Sequence, residues 1–291
     1  MLRALHDAHL GPRPLGESYF VGDSDYGLFS RGTILPGRGA GLKVASIHTA
    51  NAQAVPPLPT EHAAFLVIDQ TTKAIAAVLD GPAVTAAKTA ADSALAARSL
   101  SREDSSVLLV LGSGPVARAL TDAYLHIRPS LRQVLLWNRS PQKLGEARAD
   151  LQARGIDAVV VGDLDQAVAR ADIISAATST STPLIHGRHV RPGTHVDLVG
   201  GFRPDMQEAD NELLGKARIF VDDRRSAAVA GDILIPLEAG VIDEACIEGD
   251  LFDLSRQAAF ERGRDEITAY KNAGGAHLDL VVSQYVIARL S

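Results

Sequence analysis

The run Val107-Leu108-Leu109-Val110-Leu111, leading straight into Gly112-Ser113-Gly114-Pro115-Val116-Ala117, constrains the fold of this chain more than any other feature. Five consecutive apolar residues read as a strand covered on both faces. The residues beyond the turn read as a helix to about Ile127. Strand, glycine turn and helix in that order form the phosphate-binding unit of a dinucleotide domain. The first glycine permits the tight turn, the second lets the backbone approach a pyrophosphate, and Ala117 allows close helix–strand packing. A pyrophosphate there meets free N–H groups and the positive end of the helix dipole. Gly112, Ser113, Gly114, Pro115, Val116 and Ala117 are therefore expected to bind a dinucleotide. Plain turns also contain glycine clusters, so the flanking strand and helix carry this reading.

The segments that follow repeat the alternation. Residues 133–138, 158–161, 172–177, 194–200 and 217–222 read as further strands separated by helical stretches, with Pro141 suited to start one of them. This pattern implies a parallel, doubly wound sheet. Ahead of it, residues 42–47 alternate as a strand does, and residues 63–69 and 74–80 read as a hairpin. An alanine-rich helix spans about 85–100. The last segment, about 274–290, reads as an amphipathic helix.

The end of the second strand bears on cofactor choice. NAD sites usually carry a carboxylate there for the ribose diol. This chain has Asn138-Arg139-Ser140, with Lys143 close behind. An arginine can clamp a 2′-phosphate, and the amide and hydroxyl can add hydrogen bonds. NADPH is expected, with NADH not excluded; a solvated loop is the plainer role for Arg139. The expected cofactor-binding set also includes Ala177, Thr178, Val199, Gly200 and Gly274.

Composition excludes several classes. The 291 residues carry 35 acids and 29 bases, a net charge of −6, which gives no footprint for nucleic acid or an anionic membrane. No apolar run approaches the roughly 20 residues of a membrane helix. The N-terminus lacks the apolar core of a signal peptide. The one cysteine, Cys246, lies among acidic residues that disfavour a thiolate, so neither a disulfide nor a nucleophile is expected. A cytoplasmic protein is the expectation. No spacing of His, Cys, Asp and Glu suggests a metal site.

Several motifs recur in order: Lys88-Thr89-Ala90-Ala91, the glycine turn, Trp137-Asn138-Arg139-Ser140, Asp197-Leu198-Val199-Gly200-Gly201, and Ile267-Thr268-Ala269-Tyr270-Lys271-Asn272-Ala273-Gly274. Together they resemble the ornithine cyclodeaminase/mu-crystallin family, over about residues 43–285. The resemblance implies an α/β fold in which a Rossmann doubly wound parallel sheet is inserted into an α+β dimerisation and substrate domain. Residues 1–105 would form the N-terminal part of that domain, residues 106–265 the Rossmann NAD(P)-binding domain, and residues 266–291 a segment returning to the first domain. A homodimer sharing a β-barrel is implied.

The resemblance also implies hydride transfer at an α-carbon bearing nitrogen and carboxylate. It places Lys43 where the family keeps a substrate-contacting lysine, and Lys88 where many members have a carboxylate-binding arginine. A lysine there is a point charge instead of a bidentate fork. Arg13 is a candidate for a further carboxylate contact. Lys88 is expected to open its helix, where a cation opposes the dipole and so hints at function. Where ornithine cyclodeaminase has a catalytic aspartate after the paired glycines, this chain has Phe202, which transfers no protons. That points to reduction of a cyclic imino acid such as Δ1-pyrroline-2-carboxylate, with Lys43 as the catalytic residue holding the imine nitrogen protonated. Asp205 and Glu208 are further candidates, with solvated capping as the alternative role. His48 is a candidate proton relay or a structural histidine. The other functions open at this point are an alanine dehydrogenase, an ornithine cyclodeaminase-like enzyme, and an NADPH and small-ligand-binding protein of mu-crystallin type.

Overall fold

A computed structural model describes residues 1–23, 25–56, 58–256 and 260–290. The chain divides into two units, Met1–Lys88 with Gly275–Ser291, and Thr89–Gly274. The second is inserted in sequence between the two pieces of the first.

The first unit is built on a five-stranded antiparallel meander: β1 (Leu15–Gly22), β2 (Gly27–Leu35), β3 (Gly39–Ile47), β4 (Glu61–Ile68) and β5 (Ile75–Asp80), paired in chain order. The expected hairpin is β4 and β5, and the expected strand at residues 42–47 is the end of β3. The terminal helix Ala276–Leu290 packs on β2, β3 and β4 and against the helix Leu2–His9. The edge strand β1 is exposed along nearly its whole length, with Leu15, Tyr19, Phe20 and Val21 open to solvent.

The second unit holds an eight-stranded sheet. Its remaining strands are β6 (Val107–Leu111), β7 (Gln133–Trp137), β8 (Asp157–Val160), β9 (Ile173–Ala176), β10 (His195–Leu198), β11 (Arg218–Val221), β12 (Ile247–Asp250) and β13 (Thr268–Lys271). The order is β12-β11-β13-β10-β9-β6-β7-β8, with every pairing parallel. Both faces are covered, which explains the unbroken apolar run of β6. Leu109 and Leu111 join one core with Ile174, Val196 and Ile219, while Leu108 and Val110 join the other with Leu120, Val134 and Ile173.

The division between units falls between Lys88 and Thr89 and between Gly274 and Gly275, where the expectation was 105/106 and 265/266. The long helix runs Gly81–Leu100, so the first boundary lies inside it. The second differs because Thr268–Lys271 is not part of a returning segment. It is an interior strand, between β10 and β11.

Candidate active site

In the sheet of the second unit, β6 lies between β7, which follows it, and β9, which the chain reaches after β7 and β8. The strand order therefore reverses between β6 and β9. In doubly wound sheets ligands bind at the carboxyl ends of strands at such a switch point. The expected cofactor residues gather along that edge: Gly112 to Ala117 after β6, Asn138 to Ser140 after β7, Ala177 and Thr178 after β9, and Val199 and Gly200 after β10.

The glycine turn has the geometry its role requires. Gly112 has φ +127°, and a Cβ there would lie 2.7 Å from the Ala177 carbonyl oxygen, so only glycine fits. At Gly114 a Cβ would meet nothing within 4 Å, which leaves open space above the backbone. Gly114 is also the N-cap of the helix Pro115–Ile127, and as a glycine it makes no side-chain capping bond to the N–H groups of the first turn. These groups suit a pyrophosphate. Asn138 Nδ2 donates to Ser113 Oγ (2.6 Å), and Asn138 Oδ1 accepts from Ser140 N (2.9 Å), so the amide braces the turn. Arg139 and Lys143 are exposed beside it. Gly274, at φ +80°, follows β13.

Behind the ends of β9 and β10 lies a buried charge cluster. Lys271 Nζ is 2.9 Å from Asp232 Oδ2, both fully buried. Asp232 Oδ1 accepts from Glu208 N (2.7 Å). Glu208 Oε1 accepts from Thr178 N and Thr178 Oγ1, each at 2.7 Å, and Oε2 accepts from Gly200 N at 2.6 Å. Burial first, and the Asp232 charge second, push the Glu208 carboxyl up to about 7. A Cβ at Gly200 would collide with Thr178 O and Glu208, and one at Gly201 with the Asp232 carboxylate. The paired glycines thus make room for two carboxylates. Under the same sheet, Asp197 accepts from Ser93 Oγ (2.8 Å) and Ser175 Oγ (2.7 Å), and burial raises its carboxyl to about 6.

In the first unit, Lys43 on β3 and Lys88 on the long helix meet one carboxylate on the terminal helix. Lys88 Nζ is 3.2 Å from Asp279 Oδ2, and Lys43 Nζ is 3.9 Å from Asp279 Oδ1. Lys43 Nζ donates to Thr85 Oγ1 at 2.6 Å. Lys88 and Asp279 are buried. Burial, and then the Lys88 charge, pull the Lys43 ammonium below the ordinary lysine range, with Asp279 opposing. Two cations on one anion leave one positive charge for an anionic ligand.

The family model for the ornithine cyclodeaminase/mu-crystallin family matches residues 33–291. The chain belongs to the ornithine cyclodeaminase/mu-crystallin family. A Δ1-pyrroline-2-carboxylate reductase of Paracoccus denitrificans is 41% identical over 287 residues, which is 98% of this chain and 90% of that protein. The Δ1-pyrroline-2-carboxylate reductase of Thermococcus litoralis, solved with NADH and L-proline, superposes with a TM-score of 0.90 at 26% identity, covering 99% of this chain and 91% of that one. An archaeal alanine dehydrogenase dimer with bound NAD also gives 0.90 at 26% identity, covering 100% and 92%.

Within this family member, some expected residues take other places. Lys88 does not open its helix; it is the eighth residue of Gly81–Leu100, beyond the first turn where a cation opposes the dipole. Arg13 is exposed and acts on His277, whose imidazolium is disfavoured first by burial and then by the His9, Lys88 and Arg13 charges. His48 Nδ1 donates to the Asp25 carbonyl, a structural role on the surface. Asp205 is exposed and pairs with Arg203 at 2.9 Å. Glu208, by contrast, is not a solvated cap but fully buried. Cys246 is exposed and its Sγ lies 3.3 Å from Asp243 Oδ1. Asp279, Asp232 and Lys271 were missed. Lys271 sits within a motif already singled out, but among the polar neighbours Thr268, Tyr270 and Asn272 its charge gives no sign of burial.

Proposed function

We propose that this chain reduces a cyclic imino acid with a reduced nicotinamide cofactor, converting Δ1-pyrroline-2-carboxylate to L-proline, and Δ1-piperideine-2-carboxylate to L-pipecolate at the same site. The observation that carries this is the meeting of Lys43 and Lys88 on Asp279, in a chain similar over 98% of its length to a Δ1-pyrroline-2-carboxylate reductase. It is an oxidoreductase acting on a C=N bond. The Gly112 turn and the open space at Gly114 fit a dinucleotide, and Val199-Gly200 would seat its nicotinamide. When bound, the cofactor supplies a hydride to C2 of the imine.

The side chains do the rest. Lys43 and Lys88 hold the substrate carboxylate by their excess positive charge and so orient C2. Lys43 also keeps the imine nitrogen protonated, which makes C2 electrophilic; burial lowers its pKa and so eases release of that proton. Arg13 is a further carboxylate contact in this reading. Phe202, following Gly201, brings no proton-transfer group, which favours plain reduction over cyclodeamination. The decisive assay follows reduced-cofactor absorbance with Δ1-pyrroline-2-carboxylate, Δ1-piperideine-2-carboxylate, and pyruvate plus ammonia. Oxidation with a cyclic imine is expected; oxidation only with pyruvate and ammonia would make the chain an alanine dehydrogenase, and none with any substrate would leave a binding protein.

NADPH is the preferred cofactor in this reading, because Arg139 stands at the end of β7 with no carboxylate beside it to repel a 2′-phosphate. Arg139→Ala is expected to weaken NADPH binding roughly ten- to a hundredfold, the value of a charge-assisted contact, and to leave NADH binding nearly unchanged. An unmoved preference would transfer the role to another residue.

The protein acts as a homodimer in the cytoplasm. The exposed apolar side chains of β1, an edge strand with unpaired backbone groups, favour a second copy as cover. Among the described residues no helix is long and apolar enough to cross a membrane. Light scattering is expected to return twice the chain mass at micromolar concentration; the mass of one chain would refute the dimer.

A further inference from the structure

We propose that Glu208 is the electrostatic anchor of the nicotinamide seat: its carboxylate clamps the ends of β9 and β10 together and favours the oxidised, positively charged cofactor over the reduced one. The proposal rests on the reading that Val199-Gly200 seats a nicotinamide.

The geometry supplies the first half. Glu208 spans two neighbouring strand ends, taking Thr178 N and Oγ1 on one oxygen and Gly200 N on the other. Three donors within 2.7 Å fix both segments against one rigid group. Glu208 is itself held, because its N–H donates to Asp232, which is paired with Lys271. Glu208 is therefore a positioning residue one hydrogen bond behind the backbone that would face the ring.

Charge supplies the second half. The charged groups that face Glu208 are Asp232 and Lys271, from the helix Gly231–Glu238 and from β13. Lys271 is engaged by Asp232, so the cluster sums to one negative charge when Glu208 is ionised. An unbalanced buried charge is costly. A nicotinamide that has given up hydride carries one positive charge, and it would balance the cluster. The raised Glu208 carboxyl, near 7, is what an uncompensated site shows before such a cation arrives.

The test measures binding rather than turnover. NAD+ and NADH, which lack the titrating 2′-phosphate, are titrated into the full-length protein at pH 6 and pH 8 by calorimetry. In the wild type the ratio Kd(NAD+)/Kd(NADH) is expected to fall on the order of tenfold between pH 6 and pH 8, as Glu208 ionises and favours the cation. In Glu208→Gln the ratio is expected to stay at its pH 6 value at both pH values. A ratio that does not change with pH in the wild type overturns the proposal, and needs no variant that folds. A variant that binds both forms more weakly, with the wild-type ratio retained, overturns the electrostatic part and leaves a brace. A wild type that binds neither form overturns the nicotinamide reading itself.

Discussion

Lys43→Ala is expected to lower kcat/KM for a cyclic imino acid by roughly 10²–10³, the usual cost of removing one preorganised electrostatic contact, while cofactor binding stays intact. Lys43, Lys88 and Asp279 together carry one net positive charge, and Lys88 is the nearer partner of Asp279. Without Lys43 the remaining pair is neutral, so an entering carboxylate keeps only the proposed contact with Arg13. The group held near the imine nitrogen is lost at the same time. Both kcat and KM should suffer, and fluorescence titration with the reduced cofactor should not. A variant that turns over normally, or one that loses cofactor affinity, would reassign the lysine. Lys43→Arg keeps the charge but not the titration, so it should recover substrate affinity more than rate.

Lys271→Met is expected to be strongly destabilising. It leaves Asp232 and Glu208 buried with no cation, and breaking a buried pair from one side costs roughly 3–5 kcal/mol. The loss should depend on pH, and its sign follows from linkage. A carboxyl whose folded pKa lies above its unfolded value favours folding most below the unfolded value, and that contribution is lost as pH rises through the folded one. Glu208 already reaches about 7 in the intact protein, against an ordinary 4.5. The variant should therefore melt only modestly below the parent at pH 5.5 and by about 10 °C or more at pH 8. Equal losses at the two pH values would show that packing, and not charge, gives Lys271 its importance.

How far the sequence reveals these features varies with their physics. The strand Val107–Leu111 and its turn are legible because a buried parallel strand needs apolar residues on both faces and the turn needs glycine at a positive φ. Strands β7, β9, β10 and β11 are legible for the first of those reasons, and the edge strand β8 from its run of valines. Strands β1 and β2 are not, since β1 is exposed on both sides and presents no alternation. Strand β12, Ile247–Asp250, is a short edge strand with two acids. Strand β13 is hidden because its buried end is a lysine, and only Asp232, far away in the chain, makes that burial tolerable. The same reason hides Asp279: it reads as one polar residue on an amphipathic helix until the fold brings Lys43 and Lys88 to it. Motif matching finds residues that touch a ligand's backbone-like parts, while counter-ions emerge only from tertiary structure.

The place of β13 bears on how the molecule is made. Thr268–Lys271 lies between β10 and β11, so the interior of the sheet is completed by a segment that is synthesised after both of its neighbours. Until residue 271 is available, β10 and β11 have unpaired edges facing an empty slot, and Asp232 has no cation. Pairing of β13 with strands far back in the chain is a non-local contact, the kind that slows folding.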